Sequence, residues 1–260
     1  MNKIKKSAFI YAAGATLMCT ILFVACNKEN SDVANLNNLS GFSKSEMINP
    51  NNSGNKLDSI GINHNIHLDD VLSIINQNYI YPNNLSSDDA LGIYQDYLLN
   101  KGYSIEEIDY AFQIIKDGYS LPTNVEEYIN SLQDSISVIP NESYGNYKDL
   151  VIRYENRIMA DTSLSDIEEG SLLAFTSVLR HSMYFWYESP SKALPNWLKI
   201  AGADATGAAV GMAGGASLGW TGSIIIGVIG AVGKSLEKAE ELEKLEKPTT
   251  DTIPSSTDPS

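Results

Sequence analysis

Over residues 57–189 apolar side chains recur three and four places apart, the spacing that lines one face of an α-helix. Val71, Leu72, Ile74 and Ile75 begin the series, Tyr79 and Ile80 extend it, and Tyr81-Pro82 is its expected stop. Ser86-Ser87-Asp88-Asp89 opens a second helix through Leu91, Tyr94, Leu98 and Leu99, ended by Gly102. Ser104-Ile105-Glu106-Glu107 has capping-box spacing: the serine oxygen accepts from the Glu107 amide and the Glu107 carboxylate reaches back. That helix carries Ile108, Ala111, Phe112, Ile114 and Ile115 up to Gly118. Asn124, with Glu127 three places on, opens another that bears Tyr128, Ile129, Leu132 and Ile136 before Pro140. Residues 147–159 read as helix, and a second capping box, Ser165-Asp166-Ile167-Glu168, leads into the longest central segment, residues 167–187. Strand-type alternation of Val, Ile and Thr is scarce. The chain is expected to be all-α, with a helical bundle or array over residues 57–191.

The pattern changes after residue 191. Residues 205–233 contain no charged side chain. Every fourth position from Ala203 reads Gly207, Gly211, Gly215, Gly219, Ser223, Gly227, Ala231 and Ser235, so one helix face is nearly bare. A bare face lets two backbones approach closely, with dispersion contact as the gain. Each interior glycine also disfavours helix by roughly 1 kcal/mol relative to alanine, so the segment needs a partner surface or a bilayer. One continuous helix of these 29 residues would be roughly 44 Å long, more than the ~30 Å hydrocarbon core. A hairpin turning near Gly219-Trp220-Thr221-Gly222 is preferred, since Ala and Gly dominate before it and Ile and Val after it. Residues 234–247 then form a charged helix with Glu240/Lys244 and Glu243/Lys247 at i,i+4. Pro248 stops it, and residues 248–260 read as a disordered tail.

The other end of the chain gives an address. Residues 1–6 are basic, residues 7–25 are apolar without a charge, and the run closes on Phe23-Val24-Ala25-Cys26 before Asn27-Lys28-Glu29-Asn30. That is the layout of a secretory signal. Its end resembles the lipobox of bacterial lipoproteins, in which small residues precede a cysteine that is acylated and becomes the mature N-terminus; Phe23 stands where that family usually has leucine. The resemblance implies a signal peptide over 1–25 and a lipid bilayer as partner through Cys26. Lys28-Glu29 resembles the surface-export signal of Bacteroidota lipoproteins and implies the outer membrane or cell surface. Residues 26–56, rich in Asn and Ser, read as a flexible tether.

Charge removes one class of function. The net charge is -14, and loss of Lys3, Lys5 and Lys6 with the signal takes it to -17, so phosphate backbones would repel the chain and nucleic-acid binding is excluded. Cys19 and Cys26 are the only cysteines, which rules out a disulfide framework or a thiolate zinc site beyond the signal.

Candidate chemistry is thin. His64, His67 and Asp70 would share a helix face and form a two-histidine, one-carboxylate ligand set, but Asp69 and Asp70 fit better as first-turn acids favoured by the helix dipole. His181 lies in an aromatic run, Tyr184-Phe185-Trp186-Tyr187, that reads as the core of the last central helix or as a stacking surface. There is no G-x-S-x-G, P-loop or dinucleotide fingerprint. The glycine segment resembles the glycine zippers of bacteriocin-like peptides and contact-dependent toxins. The expected function is therefore a non-enzymatic envelope lipoprotein, without a cofactor, that binds or builds. Its glycine face (Gly207, Gly211, Gly215, Gly219, Ser223, Gly227) would pack on the domain, on a protein partner or on another copy. The alternative implied by the resemblance is an antibacterial effector that inserts this segment into a membrane.

Overall fold

The computed structural model describes residues 49–78, 86–139, 144–188 and 197–246. Residues 1–48 with Cys26, the stop at Tyr81-Pro82, Pro140 and the tail from residue 247 lie outside them. The chain is all-α: α1 (Asp58–Asn78), α2 (Ser87–Asn100), α3 (Ile105–Asp117), α4 (Thr123–Ser137), α5 (Tyr144–Ala160), α6 (Asp166–Glu188), α7 (Trp197–Gly214), a 3-10 turn (Gly215–Leu218) and α8 (Gly219–Glu246). No strand occurs among the described residues.

Caps set several helix starts. Ser86 and Asp89 close a capping box on α2, and Ser104 and Glu107 one on α3, with Ser104 N to Glu107 Oε2 at 3.0 Å and Glu107 N to Ser104 Oγ at 3.2 Å. Ser165 and Glu168 repeat the arrangement at 2.8 and 3.3 Å on α6. Gly102 and Gly118 follow α2 and α3 with φ of 93° and 71°, a region that glycine enters without steric cost. Asn124, expected to open the fourth helix, does not cap it. Pro122 takes the cap position, the helix begins at Thr123, and the Asn124 amide donates to Glu168 Oε1 at 3.2 Å.

α1 begins well before the apolar run that suggested it. Leu57, Ile60, His64, Leu68, Val71 and Ile75 form its buried stripe, and a histidine within an apolar series hid the first half. Asp69 and Asp70 consequently lie in the second half of the helix, not in its first turn, so the dipole does not explain them. Asp70 instead accepts from the Tyr97 hydroxyl at 2.8 Å and faces Lys101 at 3.3 Å.

α6 is the axis of the body. Every residue from 170 to 183 is buried, which makes it apolar or internally bonded all round. α1, α4, α5 and α7 pack on it. Leu172, Leu173, Phe175, Val178, Leu179 and Met183 supply its share of a core joined by Val125, Leu132, Val151 and Ile158. α7 packs along it and pairs closely with α8, and α1, α2 and α3 lie against α8. The charged stretch after Gly233, expected as a separate helix, is continuous with α8. Nothing there interrupts the backbone ladder, and Ser235 and Leu236 are still buried.

Candidate functional site

The chain reverses through Gly215–Leu218, and Gly219 takes the turn with φ of 75°. α7 and α8 then meet face to face. A Cβ on Gly207 would strike the Gly230 carbonyl, one on Gly211 the Ile226 carbonyl and the Gly227 Cα, and one on Gly230 the Gly207 oxygen. Gly215 is slightly looser, with Ser223 Cα at 2.9 Å from such an atom, and Gly227 looser again at 3.3 Å. The six positions marked in the sequence therefore differ in kind. Gly207, Gly211 and Gly215 are contact glycines, Gly227 is a milder one with the Ala208 carbonyl oxygen as its neighbour, Gly219 is a turn residue, and Ser223 donates to the Gly219 carbonyl at 3.1 Å. Gly230 falls outside the four-residue ladder because the face that α8 turns to α7 runs through Ser223, Gly227 and Gly230, in steps of four and then three.

A polar seam runs between these helices and the rest of the body. Asp204 of α7 is fully buried and accepts from Ser182 of α6 at 2.5 Å. His64 of α1, also fully buried, sits with Nε2 3.3 Å from Ser235 Oγ on α8 and 3.5 Å from Asp204 Oδ2. Burial pushes Asp204 up to about 7, against the hydrogen bonds from Ser182 and Ser235, and pushes His64 down to about 4. The contact is thus mainly between neutral groups just below neutral pH, not an ion pair. Trp186 lies near enough to favour the carboxylate, yet its N–H and Asp204 Oδ1 make no hydrogen bond.

A second cluster ties the start of the body to its axis. Arg180, fully buried, donates through Nη2 to Asp58 Oδ1 at 2.6 Å and to Glu155 Oε1 at 3.0 Å. Glu155, equally buried, also accepts from the side-chain amides of Asn52 at 2.6 Å and Asn55 at 2.7 Å. His181 Nε2 lies 3.1 Å from Asp58 Oδ1. Burial lowers the arginine's proton affinity, but Glu155 and then Asp58 outweigh it and raise it overall. Asp58 is lowered because its bonds from His181 and the charge of Arg180 overcome burial. Nothing in the sequence pattern announced either cluster, since the bonds that join one helix to another within them span 22 to 171 residues.

Asp58, His181 and Ser177 have the residue types of an acyl-transfer triad, but they are not arranged as one. The Ser177 hydroxyl donates to the Asp58 carbonyl at 3.0 Å and accepts from Gly61 N at 3.1 Å, while the imidazole Nε2 faces the carboxylate. A nucleophile has to face its base. The crevice lined by Tyr128, Leu132, Ile158 and Phe175 is apolar and touches none of these groups.

The ligand set considered for a metal is divided between neighbours. His64 is held by Asn65, Ser235 and Asp204, whereas His67 lies among the rings of Tyr94, Tyr97 and Tyr103, with centroids 6.4, 5.3 and 6.1 Å away. No group of three metal-ligating side chains occurs among the described residues.

His67 gives a pH prediction. Burial, then Lys101, lowers it to about 4, and Asp70 only partly opposes this. A lowered histidine contributes stability that is present above its unfolded value, about 6.5, and is lost as pH falls through the folded value. His64 behaves the same way. Asp204 has the opposite sign, contributing most below its unfolded value and least above about 7, so between about pH 4 and 6.5 His64 and Asp204 nearly cancel. His67 has no such counterweight. Urea unfolding should lose on the order of 3 kcal/mol through His67 between about pH 7 and pH 4, a loss absent from His67→Leu. Equal pH slopes for the two proteins would contradict this.

Comparison of the chain with family models, with curated proteins and with solved structures returned no match.

Proposed function

We propose that the chain is a lipid-anchored protein of the bacterial envelope with a non-enzymatic binding or structural role, held at the outer membrane or cell surface through Cys26. In this reading the glycine-zipper hairpin is the internal spine of the domain. The observation that carries it is the use of the glycine face: Gly207, Gly211 and Gly230 are spent on backbone-to-backbone contact inside the same body. A surface already filled by its own chain is not offered to a partner. The buried polar groups point the same way. Asp58, Glu155, Arg180 and Asp204 all spend their side chains on bonds to neighbouring helices.

The second reading, a bacteriocin-like effector that inserts the glycine segment into a membrane, draws on one feature. Leu198–Ala239, which the turn at Gly215–Leu218 divides between α7 and α8, is long and apolar enough in total to cross a bilayer, and 56% of its most apolar window is buried in the fold. Core helices of non-membrane domains satisfy the same test, so this reading ranks second.

Two measurements separate them. Mass spectrometry of the purified protein should find Cys26 as an acylated N-terminus, and Cys26→Ala should move the protein out of the membrane fraction. An unmodified cysteine in membranes would end the anchor reading. Dye release from liposomes addresses the spine. Wild type should leave vesicles intact, and a Gly211→Leu/Gly215→Leu variant should unfold. Vesicle leakage by wild type that is lost in a folded variant would move the assignment to the effector.

A further inference from the structure

We propose that the tip of the α7–α8 pair, with Leu218 and Trp220 beside Ile167, is the face that the domain lays on the bilayer holding Cys26. The inference rests on the lipid-anchor reading and adds an orientation to it. Three large apolar side chains at one end of the body are open: Ile167 at 46%, Leu218 at 46% and Trp220 at 44% exposure. They are neighbours. The Trp220 ring lies over Gly170, one helical turn from Ile167 on α6, and Leu218 folds over Gly222. The tip is held in shape by the Tyr110 hydroxyl, which donates to the Gly214 carbonyl at 3.0 Å and lies 3.0 Å from Ser217 Oγ. The backbone of the turn is thus held before docking, which lowers the ordering cost of the contact.

Lys56, seven residues after the first described residue, reaches this same end. Lys56 stands 5.7 Å from the Trp220 ring centroid and pairs with Glu169 at 3.0 Å. Cys26 lies only 24 residues before Pro50, a span that reaches at most about 85 Å even fully extended. Between Pro50 and Lys56 the backbone is fixed, with Asn52 and Asn55 bonded to Glu155. A contact linked in this way is intramolecular, so a weak one suffices.

The chemistry suits lipid better than protein. Tryptophan and leucine beside a lysine are interfacial residues: the indole seats at headgroup depth and the ammonium can reach a phosphate. Three side chains are too small a patch for a stable protein interface, which needs about 800 Å² per partner. Glu168, Glu169 and Asp166 at the start of α6, together with the net charge of -17 that remains without the signal, disfavour anionic lipid, so the surface expected is zwitterionic.

The test uses the full lipidated chain reconstituted in phosphatidylcholine–phosphatidylethanolamine vesicles with brominated acyl chains. Subtracting the emission of Trp220→Phe from that of the wild type isolates Trp220. Bromine should remove roughly half of that emission, as expected for a ring seated at the headgroup–acyl boundary, and Ile167→Gln/Leu218→Gln should restore most of it. Trp220 open to aqueous acrylamide and untouched by bromine, on protein whose Cys26 is acylated, would overturn the orientation and leave the anchor intact. A ring shielded from both quenchers, with a second copy cross-linked to it, would overturn it in favour of self-association. Protein lacking the acyl mass on Cys26 would sink the anchor reading and the orientation together.

Discussion

Alanine at Gly211 should cost about 3 kcal/mol of unfolding free energy, whereas alanine at Gly92 should add about 0.5–1 kcal/mol. Both glycines sit inside helices and both changes remove the same helix-propensity penalty. They differ in what the new methyl group meets. At Gly92 there is nothing within 4 Å. At Gly211 the atom would lie 2.7 Å from the Ile226 carbonyl carbon and 2.8 Å from the Gly227 Cα, and both are backbone. A side chain could rotate away, but a helix backbone cannot, so the whole pair would have to separate. Separation forfeits dispersion contact along both helices, because a gap of half an ångström to one ångström loses a quarter to a half of each contact. Gly207→Ala and Gly230→Ala should match Gly211→Ala, Gly215→Ala should fall between, and Gly227→Ala should cost least of these, since only the Ala208 carbonyl oxygen, at 3.3 Å, crowds the new atom. Gly219→Ala is a different case: it has free space, and its cost of roughly 1–2 kcal/mol would come from the left-handed backbone alone. Equal losses at Gly92 and Gly211 in urea titrations would show that the pair is not in contact.

This ranking marks where the sequence was readable and where it was not. The four-residue ladder from Gly207 to Gly215 is a local pattern, and local patterns survive into the fold because helix geometry fixes which positions share a face. The capping boxes at Ser104 and Ser165 are local too. Gly230 was missed because a helix has 3.6 residues per turn, so the contacting face of α8 passes from Gly227 to Gly230 by three places, and a strict count of four steps over it to Ala231. The start of α1 was missed because His64 and Gly61 sit within its apolar stripe. Their reason is tertiary: Gly61 lets α1 approach Ser177 and His181 of α6 so closely that a Cβ would lie 2.7 Å from the Ser177 carbonyl oxygen. The Asn-rich stretch before Asp58 reads as solvent-loving, yet Asn55 is 3% exposed, because its amide finds Glu155 a hundred residues away.

The same separation makes Arg180 and Glu155 the positions where a charge change should do most damage. Arg180→Met should cost about 3–5 kcal/mol, the range for breaking a buried ion pair from one side. The reason lies in what remains. Asp58 and Glu155 would face each other's charge across α6 with the Asn52 and Asn55 side-chain amides, the Asn52 backbone N–H and His181 as their remaining bonded donors. Glu155→Met removes one carboxylate but leaves Arg180 bonded to Asp58, so its cost should be smaller. Combining the two should cost less than the sum, because the double variant leaves no lone glutamate or arginine in the core, and a coupling of 0.5–3 kcal/mol is expected for groups in one network. The network is already imperfect, since Nε and Nη1 of Arg180 have no hydrogen-bond partner, so its value lies in register more than in stability. It fixes α6 against both α1 and α5 and pins the residues that lead into α1. Hydrogen exchange on Glu155→Met should therefore show faster exchange at Gly54 to Leu57 than the global loss of stability explains. Uniform acceleration across the chain, or strict additivity of the two substitutions, would mean that these charges act independently and that the start of the body is held by something else.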